Sequence, residues 1–221
     1  MGLRVERGRN LGHLEVLKPI LLKWQGLVED FIDGGSDCPW WYNERASLSL
    51  FAGAVWLSDG WAFEEFSTKK WARRMGKKGR KRIGRCDIQF GIGKNTFVAE
   101  AKQAWPTIGR SDQSGMVTVR AYLQKARDES SRLPNNEGKK LGILFVVPLI
   151  RRSKRKQVDK ILRRKQIDKI LSSFLEQLRK QENRTMAWVF PKKTRTMSYR
   201  GNNYYYPGIV LLIQRSRRKQ R

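Results

Sequence analysis

The sequence predicts an α/β protein with a mixed central β-sheet of about five strands flanked by helices. Three observations carry this. From Gly84 to Gln103, polar and apolar residues alternate on either side of Gly93-Lys94-Asn95, the pattern of a β-hairpin. Lys140 to Ile150 is an almost continuous apolar run of strand length, as in strands covered on both faces. Segments with helical apolar spacing surround these strands, so both faces of the sheet have material to cover them.

Taken in order, Met1 to Gly12 is basic and glycine-rich and reads as a loose arm. Leu14 to Phe31 has a helical pattern, and Pro19 marks a start near Lys18. A loop follows at 33–37, then the aromatic cluster Cys38-Pro39-Trp40-Trp41-Tyr42. Asn43 is a candidate N-cap for a mostly apolar helix running to about Leu57. Trp61 to Trp71 reads as short, amphipathic, and helical or irregular. Arg73 to Arg85 is dense in Lys and Arg and broken by Gly76, Gly79 and Gly84.

After the hairpin, Ser111 to Arg132 reads as a helix with Met116, Val119, Tyr122, Leu123 and Ala126 on one side. A loop at 133–138 leads into the Lys140–Ile150 run. KQVDKIL occurs at 156–162 and recurs as KQIDKIL at 165–171. Nine steps of 100° turn a helix by half a circle, so a bend separates the copies or only the second packs on the core. Met186 to Pro191 reads as a strand. Tyr204 to Gln214 reads as the last strand, with Pro207 and Gly208 marking an edge entry or bulge.

There are 47 Lys and Arg against 20 Asp and Glu, a net charge of +27. Such a surplus points to a polyanionic partner, and nucleic acid leads. No apolar run reaches spanning length, which argues against a membrane. Two cysteines and no evident secretory signal place the chain in a reducing cytosol. One histidine, His13, reads as a surface or helix-start residue. So few Cys and His cannot complete a zinc site without carboxylates and leave little for His-based catalysis.

The residues that can carry chemistry lie in the hairpin. Side chains two apart on a strand share a face, so Glu100 and Lys102 point the same way. A hairpin can bring Asp87 beside them. Two carboxylates and an ammonium on one surface make a divalent-metal site with a positive group next to it. The basic stretch feeding into Asp87 reads as a phosphate-contacting loop, with Lys77, Lys78, Arg80, Lys81, Arg82 and Arg85 as contacts. Its plainer reading is a solvated charge run. Gln103 points away from Lys102 on a regular strand but can swing to a phosphate where the strand ends.

Asp87 followed by Glu100-Ala101-Lys102 resembles the PD-(D/E)xK, or restriction-endonuclease-like, nuclease superfamily. Cys86 stands where that motif has Pro. The resemblance covers roughly Asn43 to Gln214 and implies a restriction-endonuclease-like core at 43–214. A basic helical insertion then falls at about 151–183, between an N-terminal arm and helix at 1–42 and a basic tail at 215–221. It implies Mg²⁺, or Mn²⁺, held by Asp87, Glu100 and the Ala101 carbonyl, with Lys102 orienting or deprotonating the attacking water. It also implies an extra acid on the preceding helix. Glu44 fills that role, unless it only complements the helix dipole; Glu64 and Glu65 are alternatives.

The function so implied is a metal-dependent endodeoxyribonuclease of mobile-element, defence or recombination type, in a bacterial or phage setting. DNA stands ahead of RNA as substrate, and by analogy the protein works as a homodimer. Two other readings stand beside it. One is a catalytically inactive nuclease-fold protein that only binds nucleic acid. The other is an RNA-associated basic protein of unrelated fold.

Overall fold

In a computed structural model the described residues are 7–10, 14–35, 37–71, 81–109, 114–152, 160–181, 184–199 and 202–216. The elements are β1 (Arg7–Asn10), α1 (Lys18–Asp33), α2 (Glu44–Trp56), β2 (Trp61–Trp71), β3 (Lys81–Ile92), β4 (Asn95–Ala104) and α3 (Ser114–Ser130). They continue with β5 (Lys139–Val146), β6 (Ile150–Arg151), α4 (Lys160–Arg179), β7 (Thr185–Val189), β8 (Tyr204–Tyr205) and β9 (Ile209–Arg215).

The central sheet is mixed and has seven strands in the order β1-β7-β9-β5-β4-β3-β2. Only β4 and β5 run parallel, and α3 is the crossover that a parallel pair requires. The sheet is wider than the expected five strands because both edges gain one. β1 pairs with β7, so the end of the presumed loose arm is a strand. β2 pairs with β3 from Trp61↔Gly91 to Trp71↔Lys81, where a helical or irregular segment was expected. Its Glu and Lys residues favour a helix locally, but pairing along the length of β3 satisfies more backbone groups than one short exposed helix could.

The helices cover both faces, as expected. On one side α1 and α2 bring Trp24, Leu48, Phe51 and Val55 onto Ile88, Phe90, Phe97, Ile143 and Phe145. Phe90 stacks on Phe97 with ring centroids 5.1 Å apart and meets Phe51 edge-on at 5.3 Å. On the other side α3 and α4 bring Val119, Leu123, Leu171 and Leu175 onto Leu144, Val146, Trp188 and Leu212. The N-terminal segment is therefore not set apart from the core, since α1 fills the same apolar layer as α2. Nor is 151–183 a mere insertion, because α4 forms half of the second layer.

The second copy of the KQxDKIL repeat packs on the core, through Ile167 and Leu171 with Phe174, Leu175 and Leu178. Residues 156–159 of the first copy lie outside the described residues, as does His13. The expected final strand divides in two. Gly208 has φ +156°, and a Cβ there would lie 2.1 Å from the Val189 oxygen. The chain therefore breaks between β8 and β9, and β9 is an inner strand between β5 and β7, not an edge. Both cysteines are free and buried. Burial, with Asp37 acting on Cys38 and Glu100 on Cys86, pushes each thiol up to about 12. Among the described residues no helix is long and apolar enough to cross a membrane.

Candidate active site

The β3–β4 hairpin turns at Gly93-Lys94 and pairs from Ile92↔Asn95 down to Ile88↔Ala99. There the two strands part. The next residues opposite one another are Asp87 and Glu100, so both acids stand at the mouth of the opening. β2 is interrupted at the same level. Its ladder with β3 steps from Glu64↔Ile88 to Phe66↔Cys86, and Glu65 between them has φ +55°. A non-glycine residue in that conformation is uncommon and marks a local distortion of the strand.

Asp87 Oδ2 accepts the Ala101 N–H at 2.7 Å, which bridges the parted strands. Lys102 Nζ lies 3.8 Å from Asp87 Oδ2, donates to the Ala101 carbonyl at 2.6 Å, and pairs with Glu129 Oε2 of α3 at 2.9 Å. Burial alone would lower the Lys102 pKa. The hydrogen bond to Glu129 and the charges of Glu44, Asp87 and Glu129 outweigh it, so the ammonium is held above its ordinary value.

Glu100 is only 3% exposed. Burial, then the charge of Asp87, pushes its carboxyl up to about 7 despite two nearby lysines. Lys70 Nζ of β2 lies 2.6 Å from Glu100 Oε1. Lys70 acts on this carboxylate both as a hydrogen-bonding and as a charged neighbour, and each effect works against the rise. Gly84 makes room for this lysine, since a Cβ there would lie 3.1 Å from Lys70 Cδ.

Glu44 opens α2. Asn43 caps that helix by accepting the N–H groups of Arg45 and Ala46 at 3.1 and 3.4 Å. The Glu44 carboxylate accepts the Gln103 N–H and feels Lys102, Asp87 and Glu129. Burial is the main reason its pKa is raised, and Asp87 and Glu129 add to it. The helix N-terminus is thus served by Asn43, which leaves Glu44 turned to the hairpin.

The structure therefore draws Asp87, Glu100, Lys102 and Glu44 into one electrostatic neighbourhood. It does not make a ready metal cage: among the described residues no three Asp, Glu, His or Cys groups converge closely enough to hold an ion. The expected donors are engaged internally, Glu100 by Lys70 and the Ala101 carbonyl by Lys102. The donor chemistry nevertheless fits a hard divalent cation. It consists of carboxylate and carbonyl oxygens, the Glu100 carboxyl among them being buried. Binding requires Lys70 and Lys102 to swing aside.

Several expectations change. Gln103 does not reach outward. It is 4% exposed, accepts from Ser47 Oγ at 2.7 Å, and donates to the carbonyls of Tyr42 at 2.8 Å and Trp40 at 3.4 Å. It clamps the end of β4 to the segment leading into α2. Glu64 and Glu65 are engaged by other partners. Glu64 accepts from Ser49, and Glu65 pairs with Arg45 and Arg85 at the surface. Arg85 is exposed but held by Glu65 at 2.8 Å. Lys81 and Arg82 begin β3, whereas Lys77, Lys78 and Arg80 lie outside the described residues.

Two residues of the site were missed. Lys70 gave no signal, because its segment read as non-strand. Glu129 did leave one, lying three residues after Ala126 and six after Leu123, at the margin of the buried stripe of α3. No family model, no curated protein and no solved structure matches the chain, so the meaning of the site rests on its own geometry.

Proposed function

We propose that this protein hydrolyses phosphodiester bonds. More particularly, we infer a Mg²⁺-dependent endodeoxyribonuclease of the PD-(D/E)xK kind, with Mn²⁺ as an alternative ion. The observation that carries the reading is the pairing of Asp87 and Glu100 at the point where β3 and β4 part, with Lys102 beside them. The net charge of +27 supports a polyanionic substrate. Tyr42 and Trp105, both exposed, lie on the two segments joined by Gln103 and offer faces on which bases can stack.

In this reading Asp87 and Glu100 hold the ion with the Ala101 carbonyl, and Glu44 contributes directly or through water. The ion supplies charge neutralisation of the phosphate and acidification of a bound water. Lys102 is protonated at neutral pH, because its carboxylate neighbours raise its pKa. It therefore orients the attacking water and balances negative charge, and is no ready base in the arrangement seen. Glu129 holds the ammonium in place. The setting is bacterial or phage, and the working unit is a homodimer that cuts both strands.

A second reading has one observation on its side. The internal lysines already neutralise the acids, as they would in a nuclease-fold protein that binds DNA without cutting it. Cleavage of supercoiled plasmid and of single-stranded DNA, with Mg²⁺, Mn²⁺ or EDTA, separates the two. The expected result is metal-dependent cutting that Asp87→Ala and Lys102→Ala both abolish. Binding without cutting supports the second reading, and cutting that survives both substitutions refutes this site.

A further inference from the structure

The proposed reaction gives Lys70 no task, although its Nζ lies 2.6 Å from Glu100 Oε1. A local irregularity of β2 brings it there. Ala62 packs in the α1–α2 layer, and Glu64 accepts from Ser49 of α2. Strict alternation would turn Phe66, Thr68 and Lys70 to that same side. They face the other one. Phe66 packs with Cys86, Val98 and Leu133, Thr68 donates to Glu137, and Lys70 meets Glu100. The change of face falls at Glu65, whose φ is +55°. That conformation is unfavourable for a residue with a Cβ and persists only where the surroundings impose it.

The contact so made can open. The Lys70 stem crosses β3 over Gly84, where a Cβ would lie 3.1 Å from Cδ, 3.4 Å from Cγ and 3.7 Å from Cε. Any larger residue at 84 would crowd the stem. The Lys70 side chain is 25% exposed, whereas that of Glu100 is 4% exposed. The ammonium can therefore move without crossing the core, while the carboxylate stays in place. A lysine ammonium on its flexible stem is a mobile point charge, suited to exchanging one anion for another. It does not leave a buried carboxylate uncompensated, because an unpaired buried charge is costly. It leaves when another cation takes up that charge.

We infer that Lys70 is a phosphate ligand of the nuclease site, held on Glu100 until a divalent cation replaces it there and then paired with a phosphate of the bound nucleic acid. The inference rests on the nuclease reading. Lys70 released from Glu100 is free for a phosphate, and a phosphate that draws Lys70 away frees Glu100 for the cation. Cation and nucleic acid then favour each other's binding, and the coupling is the same in both directions.

The test measures binding, not cleavage, on the full chain. Ca²⁺ stands in for Mg²⁺, since both are hard cations that take oxygen ligands. Thermal unfolding gives the Ca²⁺ concentration that saturates each protein. Affinity for a duplex oligonucleotide is then measured against NaCl concentration, in EDTA and at saturating Ca²⁺. In EDTA, Lys70→Met is expected to match the wild-type slope of log K against log[salt], because Glu100 occupies the lysine. In Ca²⁺ its slope should fall short of the wild type by about one. Lys94→Gln, at the exposed hairpin turn, should alter binding alike in both conditions. Should Lys70→Met not fold, Lys70→Gln carries the same comparison.

A deficit of the Lys70 variant already in EDTA makes Lys70 an ordinary surface contact and overturns the inference. Equal slopes in Ca²⁺ make it a fixed ion pair and overturn it as well. So does a deficit of equal size in Lys94→Gln that appears only with Ca²⁺. In these three outcomes the wild type still responds to Ca²⁺, and the nuclease reading stands. A wild type whose melting temperature Ca²⁺ does not move, or which binds no duplex, overturns both.

Discussion

Glu100→Gln removes the charge at the most enclosed carboxyl of the site while keeping its shape. Burial and the neighbouring Asp87 raise the Glu100 pKa from 4.5 to about 7, against the pull of Lys70 and Lys102. A rise of about 2.5 pH units at 1.36 kcal/mol each corresponds to about 3 kcal/mol of folding stability, an order-of-magnitude figure. The sign follows from proton binding. Between pH 4.5 and about 7 the folded state holds more protons than the unfolded one, so stability falls as pH rises through that window. The penalty is absent below it and complete above it. Glutamine never ionises, so the variant escapes the penalty.

The expectation is that Glu100→Gln matches the wild type near pH 4.5 and exceeds it at pH 8 by up to about 3 kcal/mol. In a chain of this size that is about 2–4 °C of melting temperature for each kcal/mol. The assay is urea or thermal unfolding at both pH values in EDTA. Repeated with Mg²⁺, the wild type should gain stability and the variant should not, and its cleavage should be lost. A variant equally or less stable than the wild type at pH 8 would refute the argument. It would show that Lys70 pairs with a fully charged Glu100 well enough to cancel burial and repulsion.

Four other outcomes are expected. Gln103→Ala leaves the Ser47 hydroxyl and the Tyr42 and Trp40 carbonyls without their buried partner and should cost about 2–4 kcal/mol in chemical denaturation. Asn43→Ala should cost about 1 kcal/mol as the loss of a cap. Glu44→Gln should instead leave stability nearly unchanged and raise the Mg²⁺ concentration needed for half-maximal cleavage, a split that a purely capping Glu44 would not produce. Gly208→Ala forces a Cβ to within 2.1 Å of the Val189 oxygen and should cost more than about 3 kcal/mol, seen as loss of cooperative unfolding or of soluble protein.

Much of the fold was legible because it is locally encoded. The hairpin from β3 to β4 follows from period-2 alternation around a glycine turn, and the α2 start follows from one Asn before an apolar run. β5 is announced by the longest apolar stretch in the chain, which only a doubly covered strand can bury. β2 was not legible. Its Trp, Phe, Glu and Lys residues suit a helix or an edge strand alike, and the choice rests on β3, separated from it by residues 72–80. The break at Glu65 depends on the same pairing.

The amino-acid sequence by itself determined that Asp87, Glu100 and Lys102 would share one hairpin, because that needs only short-range alternation and a tight turn. It also determined the basic surplus and the two covered sheet faces. The tertiary structure decided who the partners of those residues are. Lys70 reaches Glu100 from β2 across Gly84, Glu129 descends on Lys102 from α3, and Gln103 turns inward to Ser47 instead of out to a phosphate. These contacts join positions from 27 to 56 residues apart. Local periodicity says which way a side chain points on its own element. Register, crossover and helix docking say what it meets there, and that meeting settles whether the Lys102 ammonium is stabilised or the Glu100 carboxylate penalised.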